Sequence, residues 1–307
     1  MKPYDWRNEL KLLAEDTTSG SQAVCLKGAE IVMKSIDSMD EHESADDRYA
    51  FIKFLSRDLE GVKPAMAGIY NLAAALIEAL ETSKAAGGDM ASASRKAASE
   101  FRTRLLSSNN IIAQNALALL PDRACIATIS RSGTVEAALM LAREKGKVRR
   151  VLLSEGRPAY EGRIAAGRFA EAKIPVSFVA DAALPAIINQ CDIVLVGGDA
   201  LSPSGLVNKA GTFPLALAAR NHGKPFAACI GEEKIIPFDI PEHHLREDPA
   251  GLWNDAPLST QVINKVFEYT PLDLIDHIST ENGIFSGAKI PEIFASVAIS
   301  RYLPDWL

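Results

Sequence analysis

The 307-residue chain has four cysteines, Cys25, Cys125, Cys191 and Cys229, with no Cys-x-x-Cys pair and no histidine at zinc spacing. That weighs against a disulfide framework and against a structural metal. No apolar run is long enough to cross a bilayer, so no membrane association is expected. The opening run from Met1 to Glu9 is polar and carries no apolar core followed by a small-residue cleavage site, so a cytoplasmic location is expected. Basic charge is also short: 33 Lys and Arg against 39 Asp and Glu leave a net charge of −6. Affinity for a polyanion comes largely from phosphate neutralisation, so direct nucleic-acid binding is not expected. A pocket for one or two small phosphates remains open, because it needs only a few cations and backbone N–H groups.

With 48% hydrophobic and 23% charged residues, the composition is that of a globular protein, and the length suggests two domains. From about residue 5 to 120 the apolar residues recur at helical spacing: Leu10, Leu12 and Leu13, then Ala23 to Met33, Tyr49 to Leu59 and Ile69 to Leu80. Breaks fall at Thr17-Thr18-Ser19-Gly20, Gly61-Val62-Lys63-Pro64 and Ala86-Gly87-Gly88-Asp89. A last helix from Ser92 to roughly Leu120 ends at Pro121. Residues 1–120 thus read as a helical N-terminal domain.

Beyond Pro121 short β-rich runs alternate with amphipathic stretches. The expected strands are Ala124–Ile129, Arg150–Leu153, Val176–Val179, Ile193–Val196 and Phe226–Ile230, and the expected helices Val135–Lys145, Tyr160–Ala172, Ala182–Asn189 and Pro214–His222. This alternation implies an α/β, Rossmann-like domain over residues 121–307 with a mainly parallel sheet. Ligands of such sheets sit beyond the carboxyl ends of the strands, which directs attention to the strand-to-helix turns. No Gly-x-Gly-x-x-Gly turn follows the first strand, so a nicotinamide dinucleotide is not indicated.

Three turns stand out. Ser130-Arg131-Ser132-Gly133-Thr134 sets two hydroxyls and a guanidinium before a helix, suited to a phosphate, although Ser132 or Thr134 as a plain helix cap fits equally well. In Glu155-Gly156-Arg157-Pro158 the proline favours an extended Arg157 whose guanidinium suits phosphate recognition; an ion pair of Arg157 with Glu155 or Glu161 is the simpler alternative. Asp199 follows the apolar run Ile193–Val196 through two glycines, where burial would raise its pKa toward proton transfer. Asn208, Lys209 and Gly211 then precede an apolar helix and offer an amide, an ammonium and N–H groups, or else a capped helix with a solvated lysine. Cys191 and Cys229 read as core residues and His243-His244 as a polar loop pair.

In order and spacing these turns resemble the family containing methylthioribose-1-phosphate isomerase, ribose-1,5-bisphosphate isomerase and the alpha, beta and delta subunits of translation initiation factor 2B. The strongest stretch, Ser154 to Ile230, carries Glu155-Gly156-Arg157-Pro158, Ala172-Lys173-Ile174-Pro175-Val176, Val196-Gly197-Gly198-Asp199-Ala200-Leu201, Ser204 through Thr212, and Lys224-Pro225-Phe226. Thr18 to Ser21, Lys63 to Met66 with Asn71, Tyr269-Thr270-Pro271 and Thr280 to Gly283 are similar to the family's outer signatures.

The resemblance implies a helical domain, a Rossmann-like domain, a homodimer or higher homo-oligomer, and a phosphorylated sugar or nucleotide as ligand. It implies no metal or organic cofactor, since the family's isomerase chemistry uses side chains alone. Asp199 matches the acid–base aspartate of the isomerases. Arg157, Asn208 and Lys209 match phosphate-binding positions, joined by Arg131, Ser132 and Gly133, and Lys63 stands where an arginine is usual. The catalytic cysteine, however, falls on Ser130. A thiol titrates near about 8.5 and yields its proton far more readily than a serine hydroxyl, so Ser130 cannot take over the role without a nearby base. Cys125, about 16 Å farther back along the same strand, is no substitute. Two functions therefore stay open: an aldose–ketose isomerase of a phosphorylated pentose, or a non-catalytic regulatory subunit that senses the ligand.

Overall fold

A computed structural model describes residues 4–40, 43–245 and 248–296. The other residues of the two expected domains, and with them the start of the polar N-terminal run, lie outside the described residues. The chain forms two compact units, divided between Ser107 and Ser108.

The first unit is helical: α1 (Trp6–Glu15), α2 (Ser21–Asp37), α3 (Ala45–Glu60), α4 (Ala67–Ala85) and the larger part of α5 (Met90–Ala116). The first break read from the sequence has a local cause. The Asp16 carboxylate accepts from the backbone N–H groups of Thr18 and Ser19 and so turns the chain after α1. The Asp5 and Ser44 side chains cap α1 and α3 by accepting from Asn8 N–H and Asp47 N–H. The buried face gathers Val24, Ile31, Ile52, Leu55, Leu59, Ile69, Leu72, Leu76 and Leu80. Fully burying each such side chain is worth about 1.5–3 kcal/mol, so the apolar stripes rather than intrinsic propensity hold these helices. Among the described residues no helix is long and apolar enough to cross a membrane.

The second unit is an α/β structure. Its strands are β1 (Ala124–Thr128), β2 (Val148–Ser154), β3 (Val176–Val179), β4 (Ile193–Val196), β5 (Ala200–Ser202), β6 (Gly205–Lys209), β7 (Phe226–Cys229), β8 (Phe267–Thr270), β9 (His277–Thr280) and β10 (Gly283–Ser286). Seven make one sheet in the order β10-β9-β7-β4-β1-β2-β3, parallel except for β10 at one edge. The helices are α6 (Gly133–Glu144), α7 (Glu161–Glu171), α8 (Thr212–Asn221), α9 (Pro249–Trp253) and α10 (Ile290–Ser296). One face of β1, with Ala124 and Ile126, packs with Val135, Leu139, Ala165 and Phe169 of α6 and α7. The other, with Cys125 and Ala127, packs with Leu215 and Ala216 of α8 and with Ile188. Burial on both faces explains why the strands read as continuous apolar runs instead of alternating ones.

The expected α/β layout with a mainly parallel sheet is present, and the differences from it are local. The stretch Ala182–Asn189 forms two short 3₁₀ turns, Asp181–Ala183 and Pro185–Gln190, in place of an α-helix, because Pro185 has no N–H to donate in a helix interior. The long helix expected to reach Leu120 ends at Ala116 and tightens into a 3₁₀ turn, Leu117–Leu119. Asn208 and Lys209, read as a loop before a helix, lie in β6 of a second, antiparallel sheet ordered β5-β6-β8. The Arg157–Pro158 peptide bond is cis.

Gly162 fixes where α7 begins. A β-carbon on it would stand 1.9 Å from the Ser154 carbonyl oxygen and 2.9 Å from the Glu155 carbonyl carbon, so α7 docks on the end of β2 only with glycine there. Gly162→Ala is expected to cost at least about 2 kcal/mol, read as a lower urea midpoint at unchanged slope. An unchanged midpoint would mean that α7 shifts freely against β2.

Candidate functional site

From β1 the parallel order runs outward through β2 and β3, and from β4 it runs the other way through β7 and β9. The neighbouring pair β1 and β4 is therefore the topological switch point, where the loops leaving two carboxyl ends diverge and open a crevice. Those loops are Ile129–Ser132 and Gly197–Asp199, two of the segments singled out from sequence. They touch: a β-carbon on Gly197 would stand 2.4 Å from Ser132 Oγ.

In the first loop Ser130 has a left-handed backbone, φ 61°, and Ser132 caps α6, accepting from Val135 N–H at 3.5 Å. Ser132 Oγ also lies 2.8 Å from Thr134 Oγ1, which donates to the Cys229 carbonyl. The capping alternative is thus realised, and Gly133 is exposed at the helix start. The Arg131 guanidinium donates to Glu136 Oε1 at 3.1 Å, and Arg168 donates to Glu136 Oε2 at 2.7 Å. Glu136 is only 4% exposed, so two cations offset the cost of burying its charge.

In the second turn the Gly156 and Arg157 N–H groups both donate to the Asp181 carboxylate, at 2.9 and 2.8 Å. The Arg157 side chain is exposed, its guanidinium carbon 5.3 Å from the Tyr160 ring centroid. The alternative of an Arg157 ion pair is not realised: Glu155 pairs with Arg163 at 3.7 Å and Glu161 with Lys209 at 2.7 Å.

The third region holds the most charge. Asp199 donates its N–H to the Val207 carbonyl at 2.8 Å, which ties the end of β4 to β6. Its carboxyl is pushed from an ordinary 3.8 up to about 6: burial is the largest cause, the charges of Lys234 and Lys209 oppose it, and that of Glu161 adds to it. Asn208 donates to Thr212 Oγ1 at 3.0 Å, and that hydroxyl donates to the Lys209 carbonyl at 2.6 Å. Lys209 is 4% exposed and donates to Glu161 Oε1 at 2.7 Å, which overturns the solvated-lysine alternative. Among the described residues Glu161 Oε2 is buried without a hydrogen-bond partner.

Lys63 belongs to the first unit. Its ammonium donates to the carbonyls of Ala14 and Asp16, at 2.7 and 2.6 Å, at the end of α1, where a helix dipole favours a cation.

Sequence reasoning missed Lys234, Glu136 and the role of Glu161. Lys234 is 4% exposed in the turn after β7, and its charge acts on Asp199. The sequence reads Phe226–Ile230 as a strand, so the rule that points to the other turns points to Gly231-Glu232-Glu233-Lys234 as well. Glu161 carried no comparable signal, because a burial partner 48 residues away is a property of the fold. The four cysteines are buried, and among the described residues none is in a disulfide; Cys125 lies inside β1. Burial pushes the Cys191 and Cys229 thiols up to about 12. Among the described residues no group of His, Cys, Asp and Glu could hold a metal ion.

The model of the initiation factor 2 subunit family matches residues 17–287. The chain is 26% identical over 290 residues to a ribose 1,5-bisphosphate isomerase of Archaeoglobus fulgidus, covering 92% of this chain and 89% of that one. It is 33% identical over 193 residues to a probable bifunctional methylthioribose-1-phosphate isomerase/methylthioribulose-1-phosphate dehydratase of Nocardia farcinica, covering 58% of this chain but only 35% of that longer protein. A crystal structure of the Pyrococcus horikoshii OT3 translation initiation factor eIF-2B superposes with a TM-score of 0.81 at 26% identity, covering 95% of this chain and 99% of that one.

The raised Asp199 pKa makes a stability prediction. A carboxyl titrating at about 6 when folded and near about 3.9 when unfolded binds its proton more tightly in the folded state. The stability it contributes is therefore fully present below about pH 4 and lost as pH rises through about 6. Asp199→Asn removes that loss and should be more stable than the parent by up to about 3 kcal/mol at pH 8 and little different at pH 4. Urea midpoints at the two pH values check this, and a difference of the same size at both would refute the assignment.

Proposed function

The chain belongs to the initiation factor 2 subunit family, and we propose that its α/β unit binds a phosphorylated pentose beyond the carboxyl ends of β1, β2, β4 and β6 and interconverts its aldose and ketose forms. One observation carries this reading: Asp199, half-buried at the sheet's switch point, has a carboxyl raised to about 6 against the opposing charges of buried Lys209 and Lys234. A group that titrates there exists in both protonation states near neutrality, as a proton shuttle must. Forming the 2-ketose requires a proton to leave carbon 2 and one to return at carbon 1 while the 2-hydroxyl loses its proton; the proton gained at oxygen goes to the carbonyl oxygen of a free aldose, or, in a 1-phosphate, to the ring oxygen as its bond to carbon 1 breaks. Asp199 performs the carbon transfer. The cationic donors Lys209 and Lys234 stabilise the oxygen charge that develops on the way.

Phosphate binding falls to exposed Arg157, to Asn208 and Lys209, and to the start of α6 with Ser132 and Gly133, where N–H groups and the helix dipole favour an anion. Arg131, shared with Glu136, stands behind that turn. Ser130 acts as a hydroxyl donor that positions the sugar. A helical domain over residues 1–120, a binding domain over 121–307, a cytoplasmic location and a homo-oligomeric assembly form part of the same proposal. It requires no metal or organic cofactor.

A second reading, a regulatory subunit that binds the ligand without turning it over, is favoured by Ser130 and by the likeness to the structure named translation initiation factor eIF-2B.

The two readings separate in one experiment. Calorimetry with ribose 1,5-bisphosphate, methylthioribose 1-phosphate, ribose 5-phosphate and AMP measures binding, and NMR of each mixture detects a ketose product. Conversion that falls at least about 100-fold in Asp199→Asn, with binding retained, is the expected result. Conversion untouched by Asp199→Asn rules out the acid–base role, binding without conversion supports the sensor, and no binding removes the pocket itself.

A further inference from the structure

Anion binding at this site meets an obstacle in its charge balance. Lys209 has its ammonium on Glu161 Oε1 at 2.7 Å, with Lys209 4% and Glu161 8% exposed. Among the described residues the other oxygen of the same carboxylate is buried and has no hydrogen-bond partner. The groups acting on Asp199 are Lys234 from the turn after β7, Lys209 from β6 and Glu161 from α7; Glu233, beside Lys234, is itself pushed up by burial. Lys209 and Lys234 thus already answer three carboxylates, Asp199, Glu161 and Glu233, before any ligand arrives. A phosphate dianion that takes Lys209 as its partner leaves Glu161 buried with neither oxygen paired. Leaving one member of a buried ion pair uncompensated is among the costliest single changes a protein interior can undergo, and a proton from solvent relieves it.

We propose that Glu161 makes this site proton-linked: a dianion binds by displacing the Glu161 carboxylate from Lys209, and Glu161 takes up about one proton as it does so. This rests on the proposed phosphate site and deepens it. A ligand that brings two negative charges into a site already holding more carboxylates than ammonium groups draws in a proton, and Glu161 holds it, because Asp199 has to start ionised to take the proton from carbon 2. Glu161 then acts as a specificity residue that penalises additional negative charge beside Lys209, and its penalty grows with pH.

The test uses the full chain and two probes: ribose 5-phosphate above pH 7.5, where its phosphate is largely dianionic, and inorganic sulfate, which carries no titrating proton in that range. Calorimetry in buffers of different ionisation enthalpy gives the protons taken up from the slope of observed heat against buffer heat. The expected result is about one proton per anion for both probes and an affinity that falls about tenfold per pH unit between pH 7.5 and 8.5. Glu161→Gln should lower the uptake to less than half and bind ribose 5-phosphate at least about tenfold more tightly at pH 8.5. Binding by the parent with a slope near zero and an affinity independent of pH overturns the inference and leaves the proposed site standing, as does Glu161→Gln with the parent's slope. Absence of binding to both proteins overturns the inference and the proposed site together. Should Glu161→Gln fold poorly, the slope and pH dependence of the parent still decide.

Discussion

The contact between Gly197 and Ser132 is what allows two neighbouring strands to serve one site. At β1 and β4 the parallel sheet grows away in both directions, so the loops that follow part and leave a crevice. Its floor closes because the backbone after β4 runs directly against the cap of α6, with no room for a β-carbon between them. Asp199 follows two residues on and is held by its N–H to β6, the strand that also supplies Asn208 and Lys209. The antiparallel β5-β6-β8 sheet thereby carries an amide and a cation to the carboxyl end of a sheet in which they are not strands.

Burial and charge then compete at Asp199. In water a carboxyl among two ammonium groups and one carboxylate would titrate below its ordinary value, since attraction outnumbers repulsion. Here the carboxyl rises to about 6, so loss of solvent outweighs the two cations. Much of what Lys209 could give Asp199 is spent on Glu161, its hydrogen-bonded partner at 2.7 Å. Lys234 is first among the opposing charges. Glu136 shows the same economy with a different outcome: more deeply buried than the half-buried Asp199, it has a guanidinium on each oxygen and links α7 to the Ser130–Gly133 turn.

The architecture was legible because it rests on periodicity. Helical spacing over the first 120 residues and apolar runs divided by turns thereafter both follow from which faces are buried. The short strands β5, β6 and β8 escaped because Ser202-Pro203-Ser204-Gly205 reads as a loop; pairing with β8, some 60 residues on, makes β6 a strand. Asp199 and the turns around it were recoverable from the rule that ligands collect at strand ends. Pairings were not. Nothing local in the sequence says that Lys209 meets Glu161, that Arg131 leans on Glu136, or that Glu155 takes Arg163 instead of Arg157, because each is decided by how α6, α7 and β6 pack.

These pairings bear on the serine at position 130. An enediol route needs one group that carries a proton between two adjacent carbons and donors that steady the oxygens, and these tasks differ in the pKa they require. Transfer at carbon requires titration near the working pH, which Asp199 has. Donation to an oxygen requires only a fixed N–H or O–H in a site poor in water, which a buried ammonium provides. A thiol would add a second titrating group. A serine, with a left-handed backbone just before α6, adds a hydroxyl and no second titrating group. On the isomerase reading the burden of proton transfer therefore rests on Asp199 and the lysines, and no class of group that the transfer needs is missing.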